Sequence, residues 1–222
     1  MLKLGYAYHL SPLSNGAHVG IGLNVSLFSK SFDAQWIAVD NWQNDPAIPD
    51  QGGSGSSADV DLGVFLRKGN DYYAGLSMTH VAEVQMSSLD IVPTRHYYLM
   101  GGYNHPLNGD DLVLRSNLLA KSDLNATALD LNVNVLWEDM IWGGVTWRPG
   151  DAVAPSAGIQ YSMNKKEGIT SSTQVFKLGY SYDATMSDLR TYSSGSHELF
   201  LSYAFKFITT PVENKYANPR FL

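Results

Sequence analysis

The stretch ATALDLNVNVLW, residues 126–137, alternates apolar and polar side chains along most of its length. The apolar side chains fall on odd positions and the polar ones on even positions: Leu129, Leu131, Val133, Val135 and Trp137 against Asp130, Asn132 and Asn134. Successive side chains of a β-strand point to opposite faces, whereas a helix repeats every 3.6 residues. The stretch therefore predicts a strand with one apolar and one polar face.

The same period of two runs through nearly the whole chain, and AHVGIGLNVSLF at residues 17–28 is a second clear example. It predicts eleven strands and no helix, at residues 2–9, 17–29, 59–67, 71–80, 95–105, 111–121, 126–137, 140–148, 152–163, 173–183 and 196–207. Many of these approach the roughly 9–11 residues that a tilted strand needs to cross a bilayer. Turn-forming stretches such as KGND (68–71) and RPGD (148–151) separate them and indicate consecutive antiparallel hairpins.

Composition excludes several classes of protein. The chain has 222 residues, which suits one domain, and its formal charge of -6 argues against nucleic acid as a partner. It has no cysteine, so it has no disulfide, thiolate metal site or cysteine nucleophile. No apolar run reaches the roughly 20 residues of a membrane-spanning helix. These properties leave a soluble β-protein or a membrane barrel.

The lengths of the connections favour an outer-membrane barrel. The three longest, residues 30–58, 81–94 and 184–195, follow strands two, four and ten and therefore share one side of an up-and-down barrel. Outer-membrane barrels have long external loops and short periplasmic turns. We therefore expect an antiparallel transmembrane barrel over residues 1–207 and a periplasmic tail at 208–222. Within the first long connection, GGSGSS (52–57) is interpreted as a flexible connector.

Eleven is an odd number of strands, whereas bacterial single-chain barrels in lipid close with an even number. The same parity places Met1 on the external side, and the N-terminus lacks the apolar core of a secretory signal. One hypothesis accounts for the odd number of strands and for the missing signal. It is that the chain lacks a signal peptide and its first strands, and that the whole barrel has about fourteen strands.

Four segments resemble the PorP/SprF family, outer-membrane proteins of Bacteroidetes associated with type IX secretion and gliding motility. They are RHYYLMGGY (95–103), LNVNVLWEDMIWGGVTWRPGDAV (131–153), KLGYSYDATMSDLRTYSSGSHELFLSY (177–203) and the ending NPRFL (218–222). The resemblance implies a non-enzymatic barrel that contacts outer-membrane lipid and works as an assembly or anchoring platform. Its implied partners are periplasmic ring proteins of the secretion system, or secreted cargo or adhesin.

Two alternatives belong to other functional classes. A polar inner face could make the protein an outer-membrane pore or transport channel. A soluble β-sandwich binding module would also use alternating strands, although the strand lengths disfavour it.

Candidate chemical sites are weak in this sequence. Ser196, His197 and Glu198 are consecutive on a predicted strand, so their side chains alternate between faces and cannot form a catalytic triad. The six histidines are scattered without the spacing of a zinc site. We therefore predict no catalytic residue, metal site or cofactor.

A polar inner face is the better-supported site. It is formed by charged and amide side chains at inward positions of the predicted strands: Arg115, Asn117, Asp130, Asn132, Asn134, Lys177 and Glu198, joined by Lys121 and Asp183. The set fits a salt-bridged interior that rigidifies the barrel better than a selective channel. Tyrosines and tryptophans near strand ends, including Tyr73 and Trp142, suit a membrane interface, although core packing would use them as readily.

The tail offers a second candidate contact. Prolines prevent it from continuing a strand easily, and Pro219, Arg220 and Phe221 are candidates for docking onto the barrel base or a periplasmic partner.

Overall fold

Eleven strands form one antiparallel sheet in a computed structural model, which describes residues 1–33, 52–86, 89, 91–108, 111–167 and 170–209. The strands follow chain order from β1 to β11, and each pairs with its neighbours in sequence. They are β1 Leu2–His9, β2 His18–Phe32, β3 Gly53–Lys68, β4 Tyr72–Thr79, β5 His96–Asn108, β6 Leu112–Ser122, β7 Thr127–Trp137, β8 Ile141–Arg148, β9 Ala152–Glu167, β10 Thr170–Thr185 and β11 Ser196–Thr209.

The predicted all-β class and all eleven strands are confirmed. Within the described residues, the helical structure is limited to one 3-10 turn at Asp188–Thr191. The strand order has two ends, β1 and β11.

One prediction about a connection is wrong. The GGSGSS pattern predicts a flexible connector, but Gly53–Ser57 belongs to β3 and pairs in register with Phe28–Phe32 of β2. Glycine and serine have low strand propensity by themselves. Here the extension of β2 supplies the backbone hydrogen-bonding partners, so the pairing overrides the propensity.

Tight turns join several hairpins. Glu138 and Asp139 link β7 to β8 with φ of 49° and 53°, the left-handed region that a two-residue hairpin turn uses. Gly150 takes the same region with φ of 76° between β8 and β9, where the N–H of Asp151 donates to the carbonyl of Arg148 at 3.0 Å. These short links keep β7, β8 and β9 next to one another in the sheet.

The described chain comprises two compact units. The N-terminal unit contains Met1–Asn104 and Ser116–Leu131, and the C-terminal unit contains His105–Arg115 and Asn132–Leu222. In both units the alternation of the sequence becomes two faces of the sheet, which we call the apolar face and the polar face. Of the described residues, the buried apolar ones are few, and half are alanine: Ala17, Met86, Leu89, Leu136, Ala152 and Ala154.

Candidate functional site

The burial of the two faces is inverted relative to that of a water-soluble protein. On β2 the apolar face is open, with Leu23 44% exposed, and on β11 Leu199 is 77% exposed. On β3 and β9 polar side chains are covered: Asp59 is 1% exposed, Asp61 4% and Gln160 6%. Soluble proteins rarely expose large contiguous apolar patches or bury charged side chains. The arrangement suits an apolar environment outside the sheet.

Two carboxylates on β3 form the most connected polar cluster of the N-terminal unit. One oxygen of Asp59 accepts the backbone N–H of Val60 at 2.7 Å and of Ala82 at 3.1 Å, and the other oxygen lies 3.2 Å from Nδ1 of His80. Asp61 accepts the N–H of His80 at 3.2 Å. Buried carboxylates require such donors, because an unpaired buried charge is costly.

Strand alternation places the two acids side by side. Asp59 and Asp61 are two residues apart, so both point to the polar face, opposite Ser26 and Asn24 of β2. Lys3 of β1 reaches across β2, and its Nζ lies 2.6 Å from Oδ2 of Asp61. The cluster therefore connects three neighbouring strands to the segment that follows β4.

A cavity of about 370 Å³ adjoins this cluster on the sheet of the N-terminal unit. Gly22 and Gly63 face each other in register across β2 and β3 within its lining, so part of its floor has no side chains. Asp61 and Lys3 belong to its wall, and His9, His18 and Arg67 supply further nitrogen-bearing side chains. The cavity can therefore accept polar groups at several positions.

The polar face of the C-terminal unit is organised by polar side-chain pairs, both between strands and within one strand. Nη1 of Arg148 on β8 forms a salt bridge with Oδ2 of Asp183 on β10. Nδ2 of Asn132 donates to Oγ1 of Thr146 at 2.8 Å, and Asn134 donates to Oδ1 of Asn132. Polar groups that face one another across a sheet stabilise it in this way.

Trp142 takes an unexpected position in this unit. A Cβ added at Gly158 or Gly179 would lie 2.5 or 2.6 Å from Cζ2 of the Trp142 ring, so the indole lies directly over these two glycines. Its sequence position near a strand end predicts a membrane interface, with core packing as the alternative. The structure instead puts the ring on the same face as Arg148, where it lines a cavity of about 490 Å³ with Asp183 and Glu198.

The predicted polar residues occupy both units. In the N-terminal unit, Asn117 accepts a hydrogen bond from the Tyr73 hydroxyl at 3.0 Å, and Asp130 lies 3.3 Å from Nζ of Lys121. In the C-terminal unit, Ser181 donates to Glu198 at 3.4 Å.

The remaining predicted residues are less connected. Lys177 stands in register with Gln160 of β9 and Ser202 of β11. Arg115 is half-buried, and its Nε has no hydrogen-bond partner among the described residues. Pro219, Arg220 and Phe221 lie outside the described residues.

Sequence reasoning missed Asp59, Asp61 and His80. The alternating DVDLGV at residues 59–64 carried the signal for the two acids, since both fall on the face opposite Val60, Leu62 and Val64. Nothing in the sequence signalled that the connection after β4 folds back to meet them.

The apparent serine, histidine and glutamate cluster separates as alternation requires. Nδ1 of His197 lies 2.5 Å from the Tyr180 hydroxyl, whereas Glu198 meets Ser181. Within the part of the chain that the structure describes, no three His, Cys, Asp or Glu side chains are placed to hold a metal ion. The described part also contains no helix that is long and apolar enough to cross a membrane.

Comparison with known proteins gives one positive result. The family model described as "Type IX secretion system membrane protein PorP/SprF" matches residues 1–203, nearly the whole chain. No curated protein and no solved structure matches the chain. The protein therefore belongs to the PorP/SprF family of type IX secretion system membrane proteins.

Proposed function

We propose that this protein is a non-enzymatic barrel of the outer membrane that acts as an assembly or anchoring platform for the type IX secretion or gliding machinery. In this proposal the apolar face contacts lipid and the polar face lines the interior. Its partners are periplasmic ring proteins of the secretion system, or secreted cargo or adhesin. The mechanism is protein contact without turnover.

The observation that carries the proposal is the inverted burial of the two faces in a chain of this family. Leucine, valine and tyrosine side chains are exposed on one side of β1 and β2, while Asp59 and Asp61 of the adjoining β3 are buried on the other side of the sheet. Exposed apolar area is favourable against lipid and unfavourable against water. The polar pairs on the enclosed side hold neighbouring strands together, which suits a rigid scaffold.

The lipid placement is tested by adding a charge to each of two exposed leucines. Leu23 lies within β2 and is 44% exposed, whereas Leu124 lies in the turn between β6 and β7 and is 77% exposed. Leu23→Arg should destabilise the protein in lipid vesicles by about 2–4 kcal/mol, the cost of arginine near the bilayer midplane, while Leu124→Arg changes little. Similar small effects at both sites would contradict a lipid-facing β2.

The platform role is tested by crosslinking and pull-down of the full-length protein from outer membranes. We expect secretion-system proteins to be recovered with it. The Leu124→Arg variant serves as the control for a folded protein with an altered surface. Recovery of the barrel with no secretion component would contradict the platform role while leaving the membrane placement intact.

We propose that the C-terminal tail supplies part of the partner contact. Deleting residues 211–222, which include Pro219, Arg220 and Phe221, should reduce copurification of the partner without changing the amount of barrel in the membrane. Unchanged copurification would exclude the tail as the docking segment.

A pore is the second candidate function, favoured by the open cavity of about 370 Å³ beside polar side chains in the N-terminal unit. Discrete conductance steps from the full-length protein in a planar bilayer would support it. A platform without solute flow should give none.

A further inference from the structure

The segment after β4 folds back onto the polar face of β2 and β3. We call residues 80–86 the strap. The backbone N–H of Val81 donates to the carbonyl of Val60 at 2.9 Å. The ring of His80 contacts the ring of Phe28 edge-on, with the ring centroids 5.6 Å apart. Farther along, Ser57 donates to the carbonyl of Val84 at 2.8 Å. The strap therefore covers several residues of the sheet.

Three polar contacts of the strap end on two side chains of the sheet, Asp59 and Asp61. Asp59 accepts from Ala82 and lies within hydrogen-bond distance of the His80 ring, and Asp61 accepts from the His80 backbone. At the far end of the strap, the Met86 side chain is buried against Gly55. A Cβ added to Gly55 would lie 3.1 Å from the Cβ of Met86. The strap is thus fixed mainly by polar contacts and by one large apolar side chain.

Arg95, which precedes β5, also binds the strap. Its Nη2 donates to the carbonyl of Val81 at 2.6 Å and lies 3.2 Å from the carboxylate of Glu83. Because Arg95 is outside the sheet, this contact can be removed without changing the polar face of β3.

The strap stores conformational strain. His80 and Glu83 have φ of 55° and 48°, in the left-handed region, which is unfavourable for residues that carry a Cβ. Such conformations persist only where surrounding contacts hold them. The closed strap therefore balances strain at two residues against a small set of hydrogen bonds.

The anchor of the strap is also part of a cavity wall. Asp61 lines the cavity of about 370 Å³ with Lys3 and Thr79, and Thr79 immediately precedes the strap. Release of the strap would free acceptor atoms of Asp59 and Asp61.

We propose that the strap is a releasable gate on the polar face of the N-terminal unit, with Asp59 and Asp61 as its latch. When the strap is closed, it covers Ser57 and Asp59. When it is open, it exposes both carboxylates. This device adds controlled access to a polar surface and does not depend on the platform role.

The gate is tested by cysteine labelling, because the chain has no cysteine of its own. Ser57 lies beneath the strap and is 7% exposed, whereas Ser193 is exposed in another connection. Two variants of the full-length protein, Ser57→Cys and Ser193→Cys, are compared in membranes. A water-soluble maleimide should label position 57 at least about tenfold more slowly than position 193, since labelling at position 57 requires local opening.

Opening the latch should remove this protection. Adding Asp59→Ala should speed labelling at position 57 by about tenfold, because the local opening equilibrium sets the rate. Asp71→Ala is the matched control, since Asp71 lies in an exposed turn of the same unit. Gln160→Cys, at a buried site of the other unit, reports global unfolding and should label at an unchanged rate.

If Asp59→Ala does not fold, Arg95→Ala provides the same test from outside the sheet, with about a threefold acceleration expected. Equal labelling of positions 57 and 193 without any latch substitution would overturn the closed state. Unchanged labelling in both Asp59→Ala and Arg95→Ala, or equal acceleration at positions 57 and 160, would overturn the gate.

Discussion

The polar faces of the two units are built differently. In the N-terminal unit, two almost fully buried carboxylates bind main-chain N–H groups of a segment outside the sheet. In the C-terminal unit, side chains of neighbouring and next-nearest strands pair with each other, as Arg148 does with Asp183. The first arrangement fixes a connection as well as strands, and the second fixes strands. The same alternating pattern therefore supports two kinds of polar contact, one to a connection and one between strands. Four experiments measure how much such contacts contribute to stability.

The largest effect is expected at the latch. Asp59→Ala leaves the N–H groups of Val60 and Ala82 without their acceptor, so the free energy of unfolding should fall by about 2–3 kcal/mol. Urea unfolding in detergent micelles, followed by tryptophan fluorescence, measures this loss. Asp71→Ala removes an exposed carboxylate of the same unit and should cost little. Equal losses at both positions would exclude the buried hydrogen bonds of Asp59 as the source of its effect.

A smaller effect is expected at the glycines beneath Trp142. Gly179→Ala places a Cβ 2.6 Å from the indole, so overpacking should cost about 1–2 kcal/mol. Gly143→Ala, whose Cβ would have its nearest neighbour at 3.8 Å, should be nearly neutral in the same unfolding measurement. In a Trp142→Ala background the cost at Gly179 should largely disappear. A cost that persists without the indole would exclude this contact as its cause.

The Arg148–Asp183 pair should contribute less. Its side chains are 36% and 17% exposed, so solvent weakens the interaction, and a double-mutant cycle with alanine should give a coupling of about 1 kcal/mol. The exposed Lys68–Asp71 pair, with side chains 41% and 61% exposed, should give a coupling near zero. A larger coupling in the exposed pair would contradict burial as the deciding factor.

The smallest effect is expected in the turn between β6 and β7. The backbone N–H groups of Ala126 and Asn125 donate to Asp123 and hold the pKa of its carboxyl below the ordinary value of 3.8. A lowered pKa in the folded state stabilises the protein above pH 3.8, and this contribution is lost as the pH falls through the folded-state pKa.

Asp123→Ala should therefore lower the urea midpoint slightly at neutral pH and by less in acid. Asp123→Asn keeps an oxygen acceptor without a titrating charge, so its stability should depend less on pH across the same range. A deficit in Asp123→Ala that is equal at neutral and acid pH would exclude the ionised carboxylate as the source.

The sequence predicted the strands well, because alternation such as that of Leu129, Leu131 and Val133 is a direct consequence of strand geometry. It also placed Asn132 and Asn134 on one face, where they are hydrogen-bonded. The sequence did not predict features that depend on contacts between segments far apart in the chain. Gly53–Ser57 became strand because β2 extends to meet it.

The strap and the Trp142 ring were not predictable for the same reason. A periodic pattern predicts on which face of the sheet a side chain lies. It does not predict which connection packs against that face. The rotamer of Trp142 is set by the space above Gly158 and Gly179, and that space exists only once β9 and β10 are paired.

The simple order of the sheet has a consequence for how the chain folds. Every strand pairs with its neighbours in sequence, so each hairpin can close as soon as its second strand is available. Closing a short loop costs less chain entropy than joining distant segments, and proteins rich in local contacts fold faster. Folding can therefore proceed strand by strand, with the growing edge as the template for the next strand.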